Sequence, residues 1–194
     1  MANLITLEEY KISENIQSTK EDARISSLIS AVSQLVKTYC GNSIIDFHSS
    51  DKVEEFSIEW SSNLVQLTES PLVSVTSVQE RKDFSQAYTT VPATEYYADA
   101  TTDGIYRVTT AGTRKTWPTG PGAVKVTYKA GYSACPLDLQ LAVIDLITYY
   151  VKDEHKGRQT IQGASIQNST SSSQKNNVAF PDHINRVLDL YKNF

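Results

Sequence analysis

The sequence predicts an α+β fold, a helical core of four helices with an antiparallel, strand-rich insertion between the second and the third. Three observations lead there. Apolar residues recur at three- and four-residue spacing before residue 41 and again after residue 136, as on one face of a helix. Between about 52 and 132 the period falls to two, the mark of half-buried strands. Those strands are short and separated by turn residues with no long helix between them, which favours antiparallel pairing over crossover connections.

The elements follow in order. Thr6-Leu7-Glu8-Glu9 has the form of a capping box, in which the threonine hydroxyl meets an orphan first-turn amide and Glu9 reaches back, so a short helix is predicted over 7–14. Ser18-Thr19-Lys20-Glu21 repeats the pattern ahead of Ile25, Leu28, Ile29, Val32, Leu35, Val36 and Tyr39, one apolar face of a long amphipathic helix that Gly41 stops. The N-terminal helices together occupy 6–41.

In the β-rich insertion, 52–132, Phe56 and Ile58 alternate with Ser57 and Glu59, Val73 and Val75 with Ser74, and Val124, Val126 and Tyr128 with Lys125 and Thr127. Ser70-Pro71, Val91-Pro92, Asp103-Gly104, Ala111-Gly112 and the run from Trp117 to Gly122 break the strands apart. A core helix is predicted over 136–153, with Pro136 at its first position, where a missing amide costs nothing, and Asp138 in the positive first turn. Its stretch from Leu139 to Val151 is apolar on almost every side, which predicts cover from its own domain and from a neighbour. Residues 157–178 are polar and serine-rich and are expected to be a flexible segment. A C-terminal helix over 181–194 places Ile184, Val187, Leu188, Tyr191 and Phe194 on one face.

At 194 residues the chain suits one substantial core, so a single domain, 1–194, is the default. Its net charge of −4 does not mark it as a nucleic-acid binder, and the acidity is concentrated in the first sixty residues. Cys40 and Cys135 have neither metal-ligand nor redox spacing and read as small hydrophobes. No segment has the pattern of a signal peptide or the length of a membrane span, so manufacture in a reducing, aqueous compartment is expected.

Chemistry finds little support. His48, His155 and His183 lie in separate segments without ligand spacing. Asp138 and Asp145, seven apart on one helix, would stand about 10 Å apart along its axis, too far for a retaining glycosidase pair. No phosphate-cradling glycine motif or nucleophile elbow is present. Arg107, Arg114, Lys115, Lys125 and Lys129, with Tyr106, Trp117 and Tyr128 among them, are the one cluster suited to nucleic acid, but strand alternation divides them between two faces. No catalytic, cofactor or metal residues are therefore expected.

Three stretches carry a family resemblance: Leu4-Ile5-Thr6-Leu7-Glu8-Glu9-Tyr10-Lys11 with the helix from Glu21-Asp22 to Tyr39-Cys40-Gly41; Ser70-Pro71-Leu72-Val73-Ser74-Val75-Thr76-Ser77-Val78 with Tyr96-Tyr97 and Gly104-Ile105-Tyr106-Arg107; and Trp117-Pro118, then Val124 to Tyr132, then Cys135-Pro136-Leu137-Asp138 opening the apolar helix. In these the chain resembles the head-to-tail connector, or adaptor, proteins of tailed bacteriophages, the ring subunits beneath the portal. The resemblance implies a non-enzymatic structural protein made in the bacterial host cytoplasm and housed in the virion neck. It implies a homo-oligomeric ring, commonly of twelve copies, that joins the portal protein to a stopper or tail protein and lets double-stranded DNA pass without specific binding, with no cofactor and no membrane.

On that reading Trp60, Trp117, Tyr132, Asp145, Ile184, Leu188, Tyr191 and Phe194 are expected to contact neighbouring subunits or the portal, and Glu54, Glu55 and Glu59 to line the channel. A tail-side ring or completion protein is the nearest rival. A small hydrolase would need His48 or His155 in a pocket with a serine or carboxylate, and a carbohydrate-binding module would need coplanar rings among Tyr96, Tyr97, Tyr106 and Trp117.

Overall fold

The computed structural model describes residues 2–152 and 180–192, and these pack as two compact units, one helical and one of strands. The helical unit draws on Met1–Gly41 and Ala134–Lys192, the strand unit on Asn42–Ser133. The expected α+β order, four helices with the strands between the second and third, is what the chain forms. The predicted segment 157–178 and Phe194 lie outside the described residues.

In the helical unit α1, Leu7–Ser13, starts from a complete capping box: the Glu9 amide donates to the Thr6 hydroxyl at 3.2 Å and the Thr6 amide to the Glu9 carboxylate at 2.6 Å. The second cap pattern is not used this way. Helix α2, Asp22–Cys40, is flanked by Glu21 without a side-chain cap, and Asp22 instead receives the Lys11 ammonium at 2.8 Å, tying the two helices together. Gly41 ends α2 in the left-handed conformation at φ 65°. Ile25, Ile29, Val32, Val36 and Cys40 are its buried stripe.

Leu4 and Ile5 are also buried, and two side chains of α2 hold them there. The Leu4 amide donates to Ser33 Oγ at 3.0 Å, and Lys37 Nζ donates to the Ala2 carbonyl at 2.7 Å. Polar residues on the buried side of α2 thus satisfy backbone groups that the leading strand of chain would otherwise leave without partners.

Helix α3, Leu137–Val151, is preceded by Pro136, which stands at the N-cap, one residue before the predicted place. Its buried set is Leu139, Ala142, Val143, Ile144, Leu146 and Ile147. Helix α4, Asp182–Leu188, is shorter than predicted and passes into a single 3-10 turn, Asp189–Tyr191. Phe180, Ile184 and Leu188 are buried, and four contacts pin the segment down. Tyr39 donates to Asp189 at 2.8 Å, Tyr191 to Asp138 at 2.6 Å, Cys40 Sγ lies 3.6 Å from the Leu188 carbonyl, and the Phe180 ring meets Tyr39 edge-on. No helix among the described residues is long and apolar enough to cross a membrane.

The strand unit holds seven strands: β1 Lys52–Ile58, β2 Leu64–Gln66, β3 Leu72–Glu80, β4 Thr89–Thr90, β5 Tyr96–Asp99, β6 Gly104–Arg107 and β7 Gly120–Ala130. They form two antiparallel sheets, ordered β1-β7-β3-β4 and β2-β6-β5. Val124, Val126, Tyr128 and Ala130 of β7 face the core with Ile58, Val65, Leu67, Leu72, Val78 and Ile105. The alternation expected of Val73 and Val75 fails because β3 shifts register between Leu72 and Ser74 and again between Val75 and Ser77. Each irregularity flips the parity, so Val73 is turned to solvent.

Lys52 and Glu54 pair with Tyr128 and Val126 and share the inward parity of Phe56 and Ile58. Their charges are met inside. Lys52 Nζ lies 2.7 Å from Glu54 and 2.8 Å from Glu69, and the buried Glu69 carboxylate takes the Ser43 amide and hydroxyl at 2.8 and 2.7 Å. The Tyr128 hydroxyl donates to Glu54 at 2.8 Å and accepts the Glu69 amide, while the Thr68 hydroxyl also donates to Glu54. Burial alone would raise the Glu54 carboxyl, but the hydrogen bonds from Lys52, Thr68 and Tyr128 outweigh it and hold it below its ordinary value. Burial would likewise depress Lys52, and its two carboxylates hold it above the usual lysine value.

A second buried cation joins the sheets. Arg107 on β6 makes a two-pronged contact with Glu80 of β3, 3.0 Å on each arm, and its third nitrogen meets the Glu95 carbonyl at 2.6 Å and carboxylate at 2.9 Å. Its guanidinium also covers the ring of the buried Trp117.

Two outcomes are expected. At Gly131, φ +97°, an added Cβ would stand 2.4 Å from the Ile44 carbonyl oxygen, so Gly131→Ala should cost about 2–4 kcal/mol in chemical denaturation. Because the folded Glu54 pKa lies below the unfolded one, its contribution is complete above the ordinary carboxyl value and drains as pH falls through about 4.5 toward the folded value. Tyr128→Phe should therefore cost about 1–2 kcal/mol at neutral pH and flatten the loss of stability on acidification, read from melting curves across that range.

Candidate assembly surfaces

The residues expected to make contacts divide by burial. Trp117 is only 2% exposed, its amide donates to the Ser62 carbonyl at 2.8 Å and its ring lies under Arg107, so it has no surface to give a neighbour. Ile184 and Leu188 are likewise spent inside the helical unit, where α4 needs them to hold its place. For these three an apolar side chain at a helical or strand position belongs to the chain's own core, and the contact role expected of them is withdrawn.

Trp60, 81% exposed just beyond β1, remains fully available. Tyr132 is half-buried with its amide on the Ile44 carbonyl, and Tyr191 is half-buried with its hydroxyl on Asp138. Asp145 stands on α3 with His183 of α4 at 3.9 Å, a surface contact with both side chains open to solvent. Of the two other histidines, His48 belongs to the strand unit and His155 lies outside the described residues.

Of the acidic residues expected along a channel, Glu54 is turned inward and neutralised by Lys52, so it cannot present a free charge to DNA. Glu55 is exposed but bonded to Lys125 at 2.9 Å, which is the main reason its carboxyl is held below the ordinary value. Glu59 is exposed.

The basic cluster is taken apart in the same way, except at the exposed Arg114 and the half-buried Lys129. Arg107 is buried, Lys115 reaches Glu95 at 3.4 Å, Lys125 binds Glu55 and lies over the Tyr88 ring, and Trp117 and Tyr128 are core residues. No stack of open rings between free cations results, so gripping single bases is not what this surface is built for. Tyr97 and Tyr106 are neighbours across β5 and β6 but tilt by 35°, and Tyr96 packs on the core, so the flat platform a sugar needs is missing as well.

Burial pushes the Cys40 thiol up to about 11 and the Cys135 thiol up to about 12, which keeps both protonated and poorly nucleophilic near neutral pH. Among the described residues no three histidine, cysteine or carboxylate side chains converge to hold a metal ion.

Exposed apolar side chains are the remaining resource. On α3, Leu137 and Leu141 are one turn apart and 83% and 59% exposed, while Leu139, Ala142, Val143, Ile144, Leu146 and Ile147 of that helix are buried. Ile12, Leu190, Val53, Phe84 and Tyr97 are also bare. The sequence signalled the α3 face through its near-uniform hydrophobicity, but Ile12 and Phe84 sit in short, mostly polar stretches where no periodicity marks them.

Comparison with known proteins agrees with an assembly role. The sequence model of the head completion protein family matches residues 3–194. No curated protein matches the chain at a significant level. Among solved structures, a chain of the neck of an empty GTA particle computed with C6 symmetry is 18% identical with a TM-score of 0.63, covering 98% of this chain and 90% of that one. A chain of the virion of a native gene transfer agent (GTA) particle is also 18% identical over the same shares with a TM-score of 0.60. A chain of the neck of a native GTA particle computed with C12 symmetry is 17% identical with a TM-score of 0.55, covering 100% and 96%. At that identity the likeness is one of fold. The family match, by contrast, spans nearly the whole sequence and agrees with the resemblance to head-to-tail connectors: the chain belongs to the head completion protein family.

Proposed function

We propose that copies of this chain stand side by side in a closed ring in the virion neck, commonly twelve of them, seated on the portal and handing over to a stopper or tail protein. The ring lengthens the DNA channel and performs no catalysis. Family membership makes the chain a structural protein of the head-to-tail junction, and the necks whose chains share its fold were computed with sixfold and twelvefold symmetry.

The observation that carries the reading is the bare Leu137–Leu141 pair on a helix whose Leu139, Val143, Ile144, Leu146 and Ile147 are buried. Two neighbouring leucines turned to water on one helix face are available for a protein contact. A closed ring needs two different, complementary sides on each copy, and a chain with exposed apolar residues on both of its units can supply them. The pairing of its basic residues with its own carboxylates suits a channel through which DNA must slide without being held.

Leu141→Arg is the direct test. Since the side chain is mostly in solvent, stability should shift by no more than about 0.5 kcal/mol. Particles carrying the variant should lack the ring on imaging and heads should fail to join tails. Normal rings and normal joining with the variant would sink the proposal, and capture of tail-tube protein with no binding to portal would move the ring to the tail side.

A further inference from the structure

Two exposed features of the chain complement one another. The first is a shallow groove of about 600 Å³ along α1 and the turn after it, lined by Leu7, Ile12 and Ile16 together with Glu8, Asn15, Gln17 and Lys11, whose ammonium is already neutralised by Asp22. Ile12 is 73% exposed there, on a seven-residue helix whose other side buries Tyr10. Among the described residues nothing pairs with the Glu8 carboxylate.

The second is the tip between β3 and β4, residues 81–88. Arg81 lies over both the Phe84 and Tyr88 rings, 4.5 Å from each, and donates to the Gly122 carbonyl at 2.8 Å. Gly122, φ +55°, leaves the space for it, since a Cβ would stand 2.4 Å from the guanidinium. Asp83 folds the tip back on itself by accepting the Ser85 amide and hydroxyl, each at 2.9 Å. So braced, the tip holds Phe84 67% exposed, with the Lys82 ammonium beside it unpaired among the described residues.

A pre-ordered aromatic knob with a cation at its base loses little conformational freedom on docking and calls for an apolar slot with a negative rim. The groove on α1 has both properties. We infer that in the assembled ring the Phe84 tip of one copy seats in the α1 groove of the next, with Lys82 against Glu8, a head-to-tail contact that repeats around a closed ring. The inference rests on the ring reading given above. Burial of Phe84 supplies the attraction, and the rim charge pair sets register.

The test uses the full chain in assembled particles. A photo-reactive phenylalanine analogue at position 84 should, on irradiation, join copies into a ladder of covalent oligomers, and mass spectrometry should place the junction within Leu7–Gln17. Lys82→Glu and Glu8→Lys should each reduce ring occupancy several-fold, and the two together should restore it. Rings that form normally while position 84 crosslinks elsewhere on the chain, to another protein, to DNA or to nothing would overturn this contact and leave the ring standing. Particles whose necks contain no ring of this chain would overturn both.

Discussion

A lysine and a glutamate on the inward face of a β-strand are tolerable only as members of a set. Lys52 and Glu54 stand among Phe56, Ile58, Val126 and Tyr128, where an unpaired charge would cost several kcal/mol. Glu69, brought in from the turn before β3, and the Tyr128 hydroxyl complete the set, and both ends of the strand unit contribute to it. Ser43 and Asn42, at its beginning, hold Glu69 and the Ser70 carbonyl, so the polar cluster fixes where chain enters the sheet as well as which strands pair. An all-apolar core would hold the same strands together with less power to choose between registers, because apolar contacts are interchangeable and these hydrogen bonds are not.

Arg107 plays the corresponding part between the sheets. Its contacts reach Glu80 on one sheet and Glu95 beside the other, and each carboxylate depends on the same guanidinium. Of the positive charges that sequence alone offered for DNA, those of Arg107, Lys115 and Lys125 are in this way consumed by the fold. Large apolar side chains are also left for the outside, among them Leu137, Leu141, Ile12, Phe84 and Trp60.

Much of the architecture was legible in the sequence because it rests on local signals. The capping box at Thr6, the left-handed stop at Gly41 and the strict alternation of Val124, Val126 and Tyr128 are each decided by a few adjacent residues. The failures have physical causes of a different range. Val73 was misplaced because irregularities in the β3–β7 ladder flip parity without any glycine or proline to announce them. Glu54 could have been placed inside from parity with Phe56 and Ile58, and was assigned to solvent on charge alone. Trp117, Ile184 and Leu188 show that apolar character identifies a side chain that must be covered, while only the fold says by what. The exposed Phe84 depends on Arg81 reaching Gly122, forty-one positions along the chain, a distance at which no local pattern operates.

Because β1 and β7 are hydrogen-bonded neighbours, the first and last strands of Asn42–Ser133 lie side by side, and the Tyr132 amide closes on the Ile44 carbonyl at 2.7 Å. The chain therefore leaves this sheet close to where it joined it. Changes in the exposed loops between those strands need not part the two stems. Such an arrangement has the geometry of a cassette, whose exposed loops can change length while its two stems stay paired.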